Sequence, residues 1–157
     1  MSQAVANTSA TTDTLTGLVV PLSDRNLLLP NVALAELMPY RTAQATPGMP
    51  AWMLGKVAWR DLRLPLLSFE AASGAQAQIG SNARVAVINA LGGRAHVKFL
   101  ALLVQGIPRS VKLENNLVRA DVALESLELD AVNLGDSVVK IPDLIALEQM
   151  LVDAGLI

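Results

Sequence analysis

The side chains that could carry out chemistry in this chain of 157 residues are few and lie far apart. There is one histidine, His96, and no cysteine, which excludes thiol chemistry and leaves no pattern of zinc or haem ligands. His96 follows a Gly-Gly pair, and neither Asp nor Glu lies near it in the sequence. An exposed or edge histidine is therefore favoured over a general base.

Other patterns of catalytic residues are also weak. No serine occupies a nucleophile elbow, and Gly92-Gly93 precedes a strand, which indicates a hairpin turn and not a phosphate-binding loop. Glu125 and Glu128 have helical spacing, which favours a solvated face over an acid–base pair. We therefore expect no enzyme, no metal and no cofactor, although an enzyme with residues far apart in sequence stays open.

The composition is apolar, with 52% hydrophobic residues, 17% charged residues and a mean hydropathy of +0.44. Clean apolar runs such as 99–104 are far shorter than the roughly 18 to 20 residues that span a bilayer, so no membrane insertion is expected. Residues 1–14 lack a basic region and indicate a short disordered leader rather than a secretory signal. Without cysteines, a cytoplasmic location is expected. The composition favours strands buried on both faces, or a surface that a partner covers.

Charge is distributed unevenly along the chain. Residues 41–112 carry nine Lys or Arg against two acidic residues, a net +7, and residues 113–157 carry nine Asp or Glu against two basic residues, a net −7. The basic residues are scattered, and the chain has only five aromatic residues that could stack bases. We therefore favour the interpretation that the basic and acidic segments form solvated faces of opposite sign that meet within the fold. A charged docking surface for a protein partner stays open as an alternative.

Period-two alternation dominates and predicts strands. Met53–Arg60 and Leu62–Leu66 predict a hairpin, in which Asp61 is expected to take the positive φ and Pro65 to mark an edge or a bulge. Further predicted strands are 84–89 paired centrally with 97–104, an edge strand at 107–113, and a last hairpin of 131–134 with 137–141, while 114–129 is expected to be a loop with a short helix or strand.

Residues 142–154 predict the one helix. Pro142 is expected to be its first residue, Asp143 to interact with its dipole, and Gly155 to provide a left-handed cap. The pattern as a whole predicts a single all-β, barrel-type domain over residues 15–157 that ends in this helix.

Residues 27–69 contain a regular spacing: four residues lie five positions apart from one another, namely Pro50, Gly55, Arg60 and Pro65. The segment resembles the CheW family of chemotaxis adaptors, which show a strand ending in a V-x-E-I-like sequence, then P-x-x-x-x-G-x-x-N-L-R-G and a hairpin continuing to V-P-I-x-D. The matching sequences are LAEL at 34–37, PAWMLGKVAWRD at 50–61 and LPLLS at 64–68, with a weaker match of LLVQGI at 102–107 to V-V-D-x-V. The departures are Asp61 for the turn glycine, and Ser68 and Gln105 for two aspartates.

The resemblance implies two five-stranded SH3-like barrels packed around a shared apolar core. It also implies a non-catalytic cytoplasmic adaptor, recruited to membrane receptor arrays, with no nucleic-acid partner. The implied partners are the regulatory domain of a CheA-type histidine kinase and the cytoplasmic tip of a methyl-accepting chemoreceptor. A general likeness to ChpC-type accessory adaptors implies control of type IV pili and twitching motility.

By position in the family pattern, Asn31, Leu34 and Glu36 fall on the kinase-facing surface, and Arg60 falls on the most characteristic polar position. Arg60 could bind a partner carboxylate, or could hold the hairpin corner and the two barrels through nearby carbonyls. Core packing of Leu34 and simple solvation of Glu36 stay alternatives. A different hypothesis is a small SH3-like barrel that binds nucleic acid or a ligand through its basic middle segment.

Overall fold

The computed structural model describes residues 14–43, 47–90, 92–93, 97–114 and 118–155. His96 and nearly all of the predicted leader lie outside these ranges. Within them, no helix is long and apolar enough to cross a membrane.

The described residues form eleven strands in two sheets. The strands are β1 (Thr14–Pro21), β2 (Asn26–Pro30), β3 (Leu34–Pro39), β4 (Met53–Trp59), β5 (Leu62–Leu67), β6 (Arg84–Asn89), β7 (Phe99–Val104), β8 (Arg109–Glu114), β9 (Val118–Arg119), β10 (Glu128–Leu134) and β11 (Ser137–Pro142). A 3-10 turn covers Asn31–Ala33, a short helix Phe69–Ala72, and the C-terminal helix Leu144–Asp153.

Each sheet belongs to one lobe of the protein. The first lobe has the strand order β8-β1-β2-β11-β10-β9, and the second lobe has the order β3-β6-β7-β5-β4. The predicted all-β fold with a C-terminal helix is confirmed. The first sheet has six strands instead of five, because the two-residue strand β9 pairs with β10 at its edge. The predicted central pairing of β6 with β7 and the edge position of β8 are also found.

The central strands are buried on both faces. In β6, Val85 and Val87 belong to a core inside the second lobe, whereas Ala86 and Ile88 belong to a core that both lobes share. This arrangement explains the apolar composition, since such strands need apolar residues at every position. The shared core includes Leu18, Val20, Leu27 and Leu29 from the first lobe, Leu100, Leu102 and Val104 from β7, and Leu144, Leu147 and Leu151 from the C-terminal helix.

A polar contact also joins the two lobes. Glu70, in the short helix after β5, is fully buried. Its Oε2 accepts hydrogen bonds from the backbone N–H of Ser23 at 2.9 Å and from the Ser23 hydroxyl, and its Oε1 accepts one from the Ser68 hydroxyl at 3.4 Å. Because Ser23 lies between β1 and β2, this carboxylate connects the first lobe to the second.

The hairpin of β4 and β5 is found as predicted, but the residue with the positive φ and the position of β5 in the sheet differ from the expectation. The positive φ belongs to Arg60, at 53°, and not to Asp61. A two-residue hairpin turn can place its left-handed residue at the first corner position, which is where Arg60 lies. Of the two alternatives at Pro65, the edge is wrong, because β5 lies between β4 and β7, whereas a bulge fits the register shift in β4 opposite Leu66. The missing N–H of Pro65 is tolerated since pairing with β7 begins only at Leu66.

The C-terminal helix starts later than the sequence predicts. Pro142 is the last residue of β11, where its fixed φ suits an extended strand end, and Asp143 is the N-cap. The Asp143 carboxylate accepts a hydrogen bond from the backbone N–H of Ala146 at 3.0 Å. Gly155 follows the C-cap residue Ala154 with a φ of 72°, as expected of a left-handed cap.

Candidate functional site

Arg60 occupies an exposed corner of the second lobe. Its φ of 53° lies in the left-handed region, and its side chain is 69% exposed. A non-glycine residue in that region costs roughly 1–2 kcal/mol relative to ordinary backbone conformations. The backbone therefore gives no reason for an arginine here, and the reason must lie in the side chain.

Glu36 and Trp59 hold the Arg60 side chain in place. The Arg60 guanidinium carbon lies 4.5 Å from the centre of the Trp59 ring, and Nη2 lies 3.5 Å from Oε1 of Glu36. The same Oε1 accepts a hydrogen bond from Nε1 of Trp59 at 3.1 Å. The Trp59 ring is buried and packs edge-on against Phe99, with centroids 4.8 Å apart. We call Glu36, Trp59 and Arg60 the charged corner.

The ion pair of the charged corner contributes little to stability. The Glu36–Arg60 contact is long and exposed, and such pairs contribute about 0–1 kcal/mol. Among the described residues, Arg60 donates no hydrogen bond to a backbone carbonyl, and Glu36 and Trp59 both belong to the second lobe. The alternative in which Arg60 holds the two barrels through nearby carbonyls is therefore not supported. Most guanidinium donors stay available to a carboxylate from outside.

Asn31 and Leu34 lie apart from the charged corner. Asn31 begins the 3-10 turn between the lobes and lines an apolar groove of about 410 Å³ in the first lobe. Leu34 is half-buried against the shared core. The structure thus brings Glu36 and Arg60 together, places Asn31 at a second surface, and gives Leu34 a packing contact.

The apolar groove is a feature that the sequence analysis missed. Val32 lines this groove with 80% of its surface accessible. The Val32 carbonyl accepts a hydrogen bond from Nδ2 of Asn89 at 2.9 Å, which fixes the 3-10 turn to β6. The sequence did contain a signal for this groove, because the apolar residues of β2 continue beyond Pro30 into the turn at Val32. The lining includes Leu28, Pro30, Asn31, Val32, Leu113 and Ile141.

Two departures from the family pattern have structural explanations. Ser68 is the N-cap of the short helix and accepts a hydrogen bond from the Ala71 N–H at 3.1 Å, as an aspartate could. Gln105 holds a loop, because its Nε2 donates to the Gln78 carbonyl at 2.6 Å and its Oε1 accepts from the Gly80 N–H at 2.9 Å. An aspartate could only accept, so this loop contact requires an amide.

The prediction that Glu125 and Glu128 share a solvated face is wrong. Glu128 begins β10 with its side chain buried, and it accepts hydrogen bonds from Lys140 Nζ at 2.6 Å, Arg25 Nη1 at 3.0 Å and the Glu125 N–H at 2.7 Å. The pKa of Arg25 is raised above its ordinary value, chiefly by its hydrogen bond to Asp24, with the Glu128 charge adding to the effect. The buried Glu128 carboxylate is thus neutralised by two cations and has a structural role, and it does not form an acid–base pair with Glu125.

Metal-ligating side chains do not gather in the part of the chain that the structure describes, where no group of three or more His, Cys, Asp or Glu occurs. Fold and site together define a protein of the double SH3-like barrel class, with an exposed charged corner and an apolar groove.

The chain belongs to the CheW-like domain family, whose model matches residues 16–151. The crystal structure of the scaffolding protein TtCheW from Thermoanaerobacter tengcongensis is similar in fold, with a TM-score of 0.68. The two sequences are 14% identical, and the match covers 82% of this chain and 83% of that one. No curated protein shows a significant sequence match.

Proposed function

We propose that this protein is a non-enzymatic adaptor that couples chemoreceptors to a CheA-type histidine kinase. Membership of the CheW-like family supports the proposal. The observation that carries it is that one short segment, residues 31–36, contributes to both the apolar groove and the charged corner. The proposed partners are the regulatory domain of the kinase and the cytoplasmic tip of a methyl-accepting chemoreceptor.

Segment 31–36 fixes the spacing between the two surfaces. Asn31 lines the groove at one end, Glu36 bonds to Trp59 at the other, and Leu34 packs on the shared core between them. Because the segment is anchored at its middle, a partner that touches both surfaces meets a preformed arrangement. The mechanism is positional: the adaptor holds the kinase and the receptor together, so that receptor conformation biases kinase activity.

Arg60 is proposed to be the main polar contact, because its guanidinium can bind a partner carboxylate in bidentate fashion. Asn31, Leu34 and Glu36 are proposed to face the kinase. A cytoplasmic adaptor recruited to receptor arrays is consistent with these contacts. Likeness to ChpC-type adaptors favours type IV pilus motility as the output.

Calorimetric titration with the purified kinase regulatory domain and with a receptor tip fragment tests the proposal. The wild type is expected to bind, and Arg60→Ala and Glu36→Arg are each expected to weaken binding by about tenfold or more. Arg109→Ala is the matched control, since Arg109 is an exposed cation on β8 outside both surfaces. Failure of the wild type to bind either partner would refute the adaptor function.

A charge-swapped double variant separates an internal role of the Glu36–Arg60 pair from a role in binding. Glu36→Arg combined with Arg60→Glu rebuilds an ion pair with reversed direction. If the pair serves only the fold, the swap restores partner binding. If Arg60 contacts the partner, binding stays weak.

A further inference from the structure

A second concentration of charge lies on the outer face of the second lobe, apart from the charged corner. Arg41, Lys56 and Arg63 line a cleft of about 300 Å³ together with Thr42 and Ala58. Lys56 and Ala58 are exposed positions of β4, and Arg63 stands opposite Ala58 on β5. Arg41 and Thr42 come from the segment that follows β3. The cleft therefore lies between β4 and the continuation of β3.

At Arg41 and Lys56 the cleft carries positive charge that the described lining residues do not compensate. No carboxylate occurs among the described residues that line it. Neither Arg41 nor Lys56 forms an ion pair with another residue of the described ranges. Clustered cations in a concave site attract an anionic ligand.

The backbone around the cleft suits an extended ligand. β3 and β4 are the edge strands of the second sheet, so each has one side without a strand partner among the described residues. A free strand edge offers N–H and C=O groups that can pair with an extended peptide. Lys56 lies on β4 itself, so its ammonium group would lie close to the side chains of a peptide that pairs with that edge.

The same features disfavour nucleic acid as the ligand. Proteins that bind single strands combine a basic groove with aromatic rings on which bases stack. No aromatic residue lies among the described residues that line this cleft. The nearby Trp59 is 5% exposed and its ring faces Phe99 and Arg60.

We propose that this cleft binds an extended acidic peptide segment of a protein partner, which pairs with the free edge of β4 while its carboxylates contact Arg41 and Lys56. This site goes beyond the proposed adaptor function, because the cleft is a third surface whose occupation requires neither the apolar groove nor the charged corner.

Fluorescence anisotropy with a labelled peptide of alternating Glu and Thr tests the proposal. The wild type is expected to bind this peptide at low salt, and Arg41→Glu with Lys56→Glu is expected to weaken binding by about tenfold or more. Arg63 stays unchanged because it makes other contacts. Arg109→Glu with Lys112→Glu, two exposed cations on β8, has the same change in net charge and is expected to change affinity by less than about twofold.

Several results would overturn the proposal. Equal losses in the two double variants would show general attraction to charge, and equal binding of a Gln-Thr peptide would show that carboxylates are irrelevant. Tighter binding of a single-stranded oligothymidylate would assign the cleft to nucleic acid. Absence of wild-type binding at low salt would remove the site. Arg41→Gln with Lys56→Gln, checked by circular dichroism, provides a milder variant if the reversed charges disturb folding.

Discussion

Nε1 of Trp59 donates a hydrogen bond to Oε1 of Glu36 at 3.1 Å, and this bond connects an exposed carboxylate to the interior of the second lobe. The Trp59 ring is fixed by burial and by its edge-on contact with Phe99. The same ring lies beneath the Arg60 guanidinium. Glu36 and Arg60 therefore keep a defined placement although their ion pair is weak. Because these side chains are already ordered, less conformational entropy is lost when a partner binds.

Trp59→Phe should separate the hydrogen bond from the ring contacts. A smaller phenyl ring can still face Arg60 and Phe99, but the donor to Glu36 is lost together with part of the buried ring volume. We expect a loss of about 0.5–1.5 kcal/mol in the free energy of unfolding by urea from the hydrogen bond, a further loss from the cavity, and weaker binding of the kinase regulatory domain in calorimetry. Trp52→Phe, at the other tryptophan of the chain, is the control. An equal loss of affinity in that control would show that the Glu36 contact is unimportant.

Arg60→Gly tests whether arginine is present for its side chain. Glycine adopts a positive φ without strain, so the free energy of unfolding should exceed that of Arg60→Ala by roughly 1 kcal/mol. Both variants should lose partner affinity to the same extent, because both lack the guanidinium. Urea unfolding and calorimetry measure the two quantities. Wild-type affinity in Arg60→Gly would mean that the backbone turn alone is sufficient.

Glu70→Gln should weaken the connection between the lobes. A glutamine has one acceptor oxygen, so its NH2 group replaces a carboxylate oxygen either at Ser23 or at Ser68. We expect a decrease of about 1–3 kcal/mol in the free energy of unfolding, because a buried polar group is left unsatisfied. Asp121→Asn, at an exposed loop position, serves as the control in the same urea titration. Unchanged stability of Glu70→Gln would argue against a structural role for the Ser23 contact.

Gln105→Glu should release the loop around Gln78 and Gly80. The new carboxylate can accept from the Gly80 N–H but cannot donate to the Gln78 carbonyl, which it would instead repel. Hydrogen exchange of the amides at 78–82 is expected to accelerate, while exchange in β6 and β7 stays slow. Asn133→Asp, at an exposed position of β10, controls for the added charge. Unaltered exchange at 78–82 would contradict this role of Gln105.

Much of the fold was predictable because its signals are local. Alternation in β4 and a polar pair at 60–61 predict a hairpin from adjacent residues alone, and the same holds for β10 and β11 around Gly135. The helix end was predicted by Gly155, whereas its start was misplaced because proline suits both a strand end and a first helical turn.

The charged corner was only partly predictable. Glu36 and Arg60 could be named from the family pattern, but Trp59 occupies a position where that pattern has leucine. Its bond to Glu36 joins residues 23 positions apart and depends on how β3 and β4 are placed in the barrel, which no local period encodes. Glu128 was misjudged for the same reason, because its cations come from β11 and from the loop before β2.

The two-faced strands β6 and β7 have an evolutionary consequence. Since neighbouring residues serve different cores, a volume change at almost any interior position disturbs the packing of one core or the other. Single substitutions are therefore expected to be tolerated best on the outside, at exposed positions such as Glu36, Lys56 and Arg60. A lineage built on this architecture can acquire new partners by changing a few surface residues while its barrels stay the same.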